Sequence, residues 1–335
     1  MNYTSGLMRN MKKYDVTALG ELLIDFTDGG ISERNNMTFE ANPGGAPCNV
    51  LSMLAGLGNR TAFIGKVGDD FFGHMLKERI ESRNIDSCGL FLSASVPTTL
   101  AFVRKLPDGD RDFAFFRNPG ADMMLTADEV VSVRHLIDSA RVFHFGTLSM
   151  TSEPAVTATK TAVDAASGVN ALISFDPNYR APLWSSPDTA LKAMEYGFSV
   201  CDVLKISDDE IEFFCGTSDL EKGARMLAEK YDIPLVLATM GARGSMALYG
   251  ALTVFRPGFR NPDTCETTGA GDTFCACVLD FLLRHDIGSL TEKDLSECLT
   301  FANAAASIIT TRKGALAVMP EKGEVMDFLK SHAGM

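Results

Sequence analysis

The segment Glu266-Thr267-Thr268-Gly269-Ala270-Gly271-Asp272-Thr273-Phe274 gathers the residue types most able to do chemistry, and it runs into an apolar stretch, Cys275–Leu283, that reads as a helix. Glycines at 269 and 271, with Ala270 between them, let successive backbone N–H groups converge on one point at that helix start. The helix dipole adds partial positive charge there, so the loop is a hole for an anion such as a phosphate in transit. Asp272, beside the hole, can take a proton from a hydroxyl. No GxxxxGK[ST] occurs, and the loop lacks the GxGxxG of a dinucleotide site.

A second glycine segment, Pro43-Gly44-Gly45-Ala46-Pro47-Cys48-Asn49, precedes a helix expected over Val50–Leu57. Gly44 and Gly45 permit close backbone approach to a ligand, and Asn49 offers a donor and an acceptor to hydroxyls. Polar residues also follow successive apolar runs. Asp25 follows Leu22–Ile24, Asp176-Pro177-Asn178-Tyr179-Arg180 follows Ile173–Phe175, Lys205, Ser207 and Glu210 follow Val203-Leu204, and Thr239-Met240-Gly241 follows Val236–Ala238. In open parallel sheets ligands bind beyond the carboxyl ends of the strands, so these residues are expected along one edge.

The elements that must position them alternate. Val16–Leu19, Ala62–Gly65, Val142–Phe145, Ala171–Phe175, Val203–Ile206 and Leu235–Ala238 read as buried strands. Between them lie helical stretches, one with Phe72, Leu76 and Ile80 on a single face and one from Pro154 to Gly168. The pattern predicts an α/β fold, a doubly wound, mostly parallel sheet with helices on both faces. Residues 99–106 and 112–117 read as a hairpin turning at Pro107-Asp108-Gly109-Asp110, with 27–43 adding strands beside it. This small β lid, about 27–43 and 97–122, is expected to cover a crevice. Asp108, Asp110 and Asp112 imitate the start of a calcium loop, but position 12 is Pro119 where a glutamate is required.

The chain has 335 residues, 46% hydrophobic and 22% charged, with 31 Lys and Arg against 43 Asp and Glu, a formal charge of −12. That balance argues against nucleic-acid binding. No run reaches the roughly 20 apolar residues of a membrane helix. A cytoplasmic protein is expected, with a loose tail over 1–13 and one domain over 14–335. The eight cysteines form no CxxC pair, and the five histidines show no ligand spacing.

Residues 44–73 (GGAPCNVLSMLAGLGNRTAFIGKVGDDFFG) and 266–274 (ETTGAGDTF) resemble the two signatures of the PfkB carbohydrate kinase family, whose fold is ribokinase-like. DPNYR (176–180), KISDDE (205–210), FFRNPGADMML (115–125) and GGAP resemble its fructokinase group. The resemblance implies an ATP-dependent sugar kinase, with Asp272 as base and Gly269, Ala270 and Gly271 as the anion hole. It implies that Asp25, Gly44, Gly45 and Asn49 hold sugar hydroxyls under a lid carrying Phe102, Phe115 and Arg117. Asn178, Arg180, Lys205 and Glu210 would lie toward the phosphates, Glu210 acting indirectly on magnesium. Thr239, Gly241, Gly244 and Asn303 would border the nucleotide. Glu266 stands where the family usually has Asp at a monovalent-cation site, which counts against potassium activation. Ser207 replaces a frequent Asn, as in many fructokinases.

The alternative within the family is a 2-keto-3-deoxygluconate kinase, with Arg117 pairing the substrate carboxylate, or another sugar or nucleoside kinase. Phe116, where those relatives tend to carry tyrosine, favours a neutral sugar. A silent sugar sensor is the reading from another class, and it expects a damaged base or anion hole. Expected partners are a small sugar and ATP, with neither nucleic acid nor membrane, and a second copy through the lid edge.

Overall fold

The computed structural model describes residues 12–105 and 111–332. Most of the expected N-terminal tail and the 107–110 turn lie outside the described residues. The strands are β1 (Tyr14–Leu19), β2 (Leu23–Ile31), β3 (Met37–Gly44), β4 (Thr61–Gly68), β5 (Ile85–Ser93), β6 (Leu100–Lys105), β7 (Arg111–Phe116), β8 (Ala140–Gly146), β9 (Leu172–Asp176), β10 (Val203–Ser207), β11 (Leu235–Thr239), β12 (Gly244–Tyr249) and β13 (Leu252–Pro257).

Nine of them form one sheet in the order β13-β12-β11-β10-β9-β8-β1-β4-β5, parallel from β11 through β5, with β12 and β13 antiparallel at one edge. Period-two alternation feeds two cores. In β11, Leu235 and Leu237 face one side while Val236 and Ala238 face the other. The first side is covered by helices Ala46–Gly56, Phe71–Ser82, Ala270–Leu282 and Glu292–Ile309. The second is covered by Ala155–Gly168, Pro187–Val200, Asp208–Cys215 and Leu220–Tyr231. Phe175, wholly buried on the second side, illustrates the anchoring, since Phe175→Ala would cost about 3–5 kcal/mol.

The lid is a separate sheet, ordered β3-β2-β6-β7, with β2 and β6 parallel and the outer pairs antiparallel. One reading changes here. Asp25 does not cap a strand of the central sheet; it sits within β2, opposite Asn42 of β3 and Ala101 of β6. The apolar run before it is the start of a lid strand, which local sequence cannot distinguish from a core strand. Among the described residues no helix is long and apolar enough to cross a membrane.

Candidate active site

Helix Ala270–Leu282 begins at Gly269, whose backbone is left-handed (φ 80°) and whose Cβ, if present, would strike Ala315. The loop can turn only with glycine there. Asp272 falls in the first turn, buried, and Asn49 Nδ2 donates to its Oδ2 at 2.7 Å. Asn49 itself is in the first turn of helix Ala46–Gly56, whose leading N–H, on Ala46, donates to Glu21 Oε1 at 2.7 Å. Gly44 lies so close to the Asp25 carboxylate that any Cβ would collide with it.

Alternation assigns Asp176 of β9 and Lys205 of β10 to the face covered by Ala270–Leu282. Both are buried, and Lys205 Nζ lies 3.0 Å from Asp176 Oδ2. Glu210 closes a capping box at the start of Asp208–Cys215, accepting from Ser207 N at 2.8 Å and from Tyr179 N at 2.7 Å. Arg180 is exposed at the rim and donates to Tyr179 O.

Two cavities meet at the glycine loop. The first, about 350 Å³, is lined by Asp25, Gly44, Gly45, Asn49, Phe115, Asn178, Arg180, Lys205, Glu210, Gly269 and Asp272. The second, about 410 Å³, is lined by Thr239, Gly241, Gly244, Ala270, Phe274 and Asn303. Thr239, Thr267 and Gly271 border both. A larger hollow of about 800 Å³ opens at the starts of β8 and β9, by Ala140 and Leu172, and holds none of these residues. Chemistry rather than size marks the site.

Two expected residues lie elsewhere. Phe102 is on the far face of the lid, stacked on Phe26 with centroids 4.7 Å apart; the alternation that turns Ala101 and Phe115 one way turns Phe102 the other. Arg117 is buried and fully engaged, donating to Asp122 Oδ2 at 2.7 Å, Leu148 O at 2.8 Å and Thr151 Oγ1 at 3.0 Å. It anchors the base of the lid and is absent from both cavity walls. Asn303 does border its cavity, but its amide is committed to Ser245, Arg256 and Pro257, clamping β12 and β13. Sequence reading missed Glu21, Thr27 and Asn42, which also line the first cavity. A helix opening on Gly-Gly-Ala-Pro does need an acceptor for its first N–H groups, but nothing local points to Glu21.

The electrostatics follow burial. Burial pushes the Asp272 carboxyl up to about 6; the Asn49 hydrogen bond pulls it down, Asp176 raises it, and Lys205 and Arg180 lower it. Burial lifts Asp25 to about 7, with Arg180 opposing and Glu266 and Asp272 adding to the rise. A carboxyl with a pKa near neutrality, beside a glycine loop at a helix N-terminus, is suited to accept a hydroxyl proton while an anion is held alongside.

Residues 13–322 match the family described as pfkB family carbohydrate kinase. The chain is 39% identical over 321 residues to the probable fructokinase-2 of Arabidopsis thaliana, covering 94% of this chain and 95% of that protein. It is 40% identical over 318 residues to fructokinase-2 of Zea mays, covering 94% and 93%. Among solved structures, fructokinase with bound ATP from Xylella fastidiosa aligns with a TM-score of 0.85 at 26% identity, over 95% of this chain and 99% of that one. Fructokinase from Vibrio cholerae O395, in its fructose-, ADP- and calcium-bound form, aligns with a TM-score of 0.83 at 26% identity, over 94% and 99%. The glycine loop, the buried aspartate behind it and the β lid thus stand in a chain that belongs to the pfkB family of carbohydrate kinases.

Proposed function

We propose that this chain is an ATP-dependent fructokinase that moves the γ-phosphoryl group of ATP onto a fructose hydroxyl. The observation that carries this reading is that Gly271 borders both cavities with Asp272 beside it in the first, one cavity able to take a sugar and the other a nucleotide. The relatives bound to fructose with ADP, and to ATP, support it. The sugar hydroxyl attacks the γ-phosphorus while its proton passes to Asp272; the bond to the β-phosphate oxygen breaks and ADP leaves. Gly269 and Gly271 leave the helix N-terminus open to the phosphoryl oxygens, while the Ala270 N–H donates to Thr267 O at 3.3 Å, and Lys205 and Arg180 add positive charge. Thr239, Gly241 and Gly244 border the nucleotide. Lid closure excludes water, the competing nucleophile.

Magnesium, supplied with ATP, would neutralise phosphate charge. The donor set fits an indirect role. Both Glu210 oxygens hold backbone N–H groups and keep further lone pairs for metal-bound water. No cluster of three or more acidic, His or Cys residues with metal-binding geometry occurs among the described residues. At the potassium position each Glu266 oxygen already accepts one bond, from Thr268 Oγ1 at 2.7 Å and from Gly314 N at 3.3 Å, so the longer side chain itself ties the two loops together.

A neutral sugar suits the first cavity better than a keto-acid. Asp25, Glu266 and Asp272 line it; of its basic residues Lys205 is paired with Asp176 and Arg180 lies at the exposed rim, while Arg117 is engaged elsewhere. The test is ADP release with magnesium-ATP against fructose, 2-keto-3-deoxygluconate, ribose and aminoimidazole riboside, with Asp272→Asn as control. Turnover on fructose that the control loses is expected. Turnover on the keto-acid alone would overturn the sugar assignment, and silence on all four would favour a sensor.

A further inference from the structure

We propose that Asn49, beyond the sugar contact expected of it, is a positioning residue that orients the Asp272 base. The inference rests on Asp272 being the base. Two features of one side chain carry it. Asn49 Nδ2 donates to Asp272 Oδ2 at 2.7 Å, and Asn49 Oδ1 is buried with no hydrogen-bond partner. The reverse amide orientation would set two acceptors against each other, so the chemistry fixes which end faces the carboxylate.

A carboxylate held by one oxygen cannot swing freely about its χ2 bond. With Oδ2 engaged, Oδ1 is left to receive the reacting proton. Asn49 is itself held on a rigid element. Glu21 caps its helix at Ala46, and Ser52, nearly one turn on, donates to Leu316 O at 2.7 Å. An unpaired buried amide oxygen is costly, and both Asn49 and Asp272 line the first cavity. A sugar hydroxyl donating to Oδ1 removes that cost, so substrate occupancy and base orientation reinforce each other.

Other groups facing Asp272 are Asp176 and Lys205 from the central sheet, Arg180 from the loop after β9, Asp25 from the lid and Cys275 one turn along its own helix. All remain in an Asn49 variant, so a shift on substitution reports Asn49 alone.

The test measures kcat and KM for fructose across pH in Asn49→Ala, Asn49→Asp and Asp272→Asn, with thermal melts as a check on folding. Asn49→Ala is expected to lower kcat about 10- to 100-fold, a share of the general-base factor of about 10²–10⁴. The acid limb of its kcat profile should move to higher pH. Asn49→Asp keeps the shape but replaces the donor with an acceptor, so its limb should move further, and it decides the matter should the alanine variant not fold. A raised KM with kcat and acid limb unmoved would make Asn49 a sugar ligand only and overturn the proposal, leaving the base reading intact. Full turnover in Asp272→Asn would overturn both.

Discussion

Lys205 Nζ lies 3.0 Å from Asp176 Oδ2, and the pair sits under Gly271, where an added Cβ would come within 3.1 Å of the same ammonium. The pairing comes from strand register, since β9 and β10 run side by side and both residues face helix Ala270–Leu282. Burial disfavours the ammonium, yet Asp176 and Glu210 outweigh it and hold Lys205 above the ordinary lysine value. A charged group is thereby kept in a buried place beside the glycine loop.

Removing one partner leaves the other charge buried and alone. Lys205→Met should destabilise the fold by about 3–5 kcal/mol, because Asp176 loses its counter-ion. The double variant Lys205→Met, Asp176→Leu should recover much of that loss in a denaturant titration. It should not recover turnover, because the positive charge at the glycine loop is still missing. Recovery of both would reduce the pair to a structural contact.

Acidification should move activity and stability in opposite directions. Burial sets Glu21 and Asp25 at about 7 and Asp272 at about 6, against about 4 for unfolded carboxyls. The native state therefore binds more protons than the unfolded chain between roughly pH 4 and 7, and these groups make stability rise as pH falls through that window. Turnover needs Asp272 ionised, so kcat/KM should fall with an apparent pKa near 6. Asp86, lowered to about 2, contributes only in stronger acid. Melts and initial rates from about pH 8 to 5.5 check both trends. Parallel decline would show that the buried carboxyls do not control the window. Asp272→Asn should lower kcat at least about 10²-fold with little change in sugar binding.

Potassium should matter little. Glu266 ties Thr268 of the glycine loop to Gly314 of the loop beyond helix Glu292–Ile309, so protein hydrogen bonds already join the two segments. Exchanging potassium chloride for choline chloride at constant ionic strength should change kcat by less than about twofold, well under the 1.4 kcal/mol that a tenfold effect represents. A large potassium activation would show that Glu266 serves a cation after all.

The parts of this fold that sequence made legible are those with local signals. Apolar runs such as Val203–Ile206 announced the parallel strands, and glycines 269 and 271 announced the turn that opens helix Ala270–Leu282. The edge strands β12 and β13 went unread because Gly244, Ser245, Thr253 and Arg256 break the apolar run that marks a core strand. Glu21 and Arg117 were missed or misplaced for another reason. Apart from Asp122, which pairs with Arg117, their partners Ala46, Leu148 and Thr151 are 25 or more residues away, so tertiary packing is what shows that one caps a helix and the other anchors the lid.

The two faces of the lid should separate by experiment. Phe115 lines the first cavity, whereas Phe102 stacks on Phe26 and meets Phe39 and Phe116 on the far side. That far side leaves Phe116 63% exposed on edge strand β7, an edge that a second copy could cover. Phe115→Ala should raise KM for fructose and increase ATP hydrolysis without sugar, because the cavity loses its cover. Phe116→Asp should leave KM nearly unchanged and shift the mass seen by light scattering from dimer to monomer. A monomeric wild-type protein at assay concentration would remove the second copy from the account. A KM change in Phe116→Asp as large as in Phe115→Ala would show that the two faces act on the sugar together.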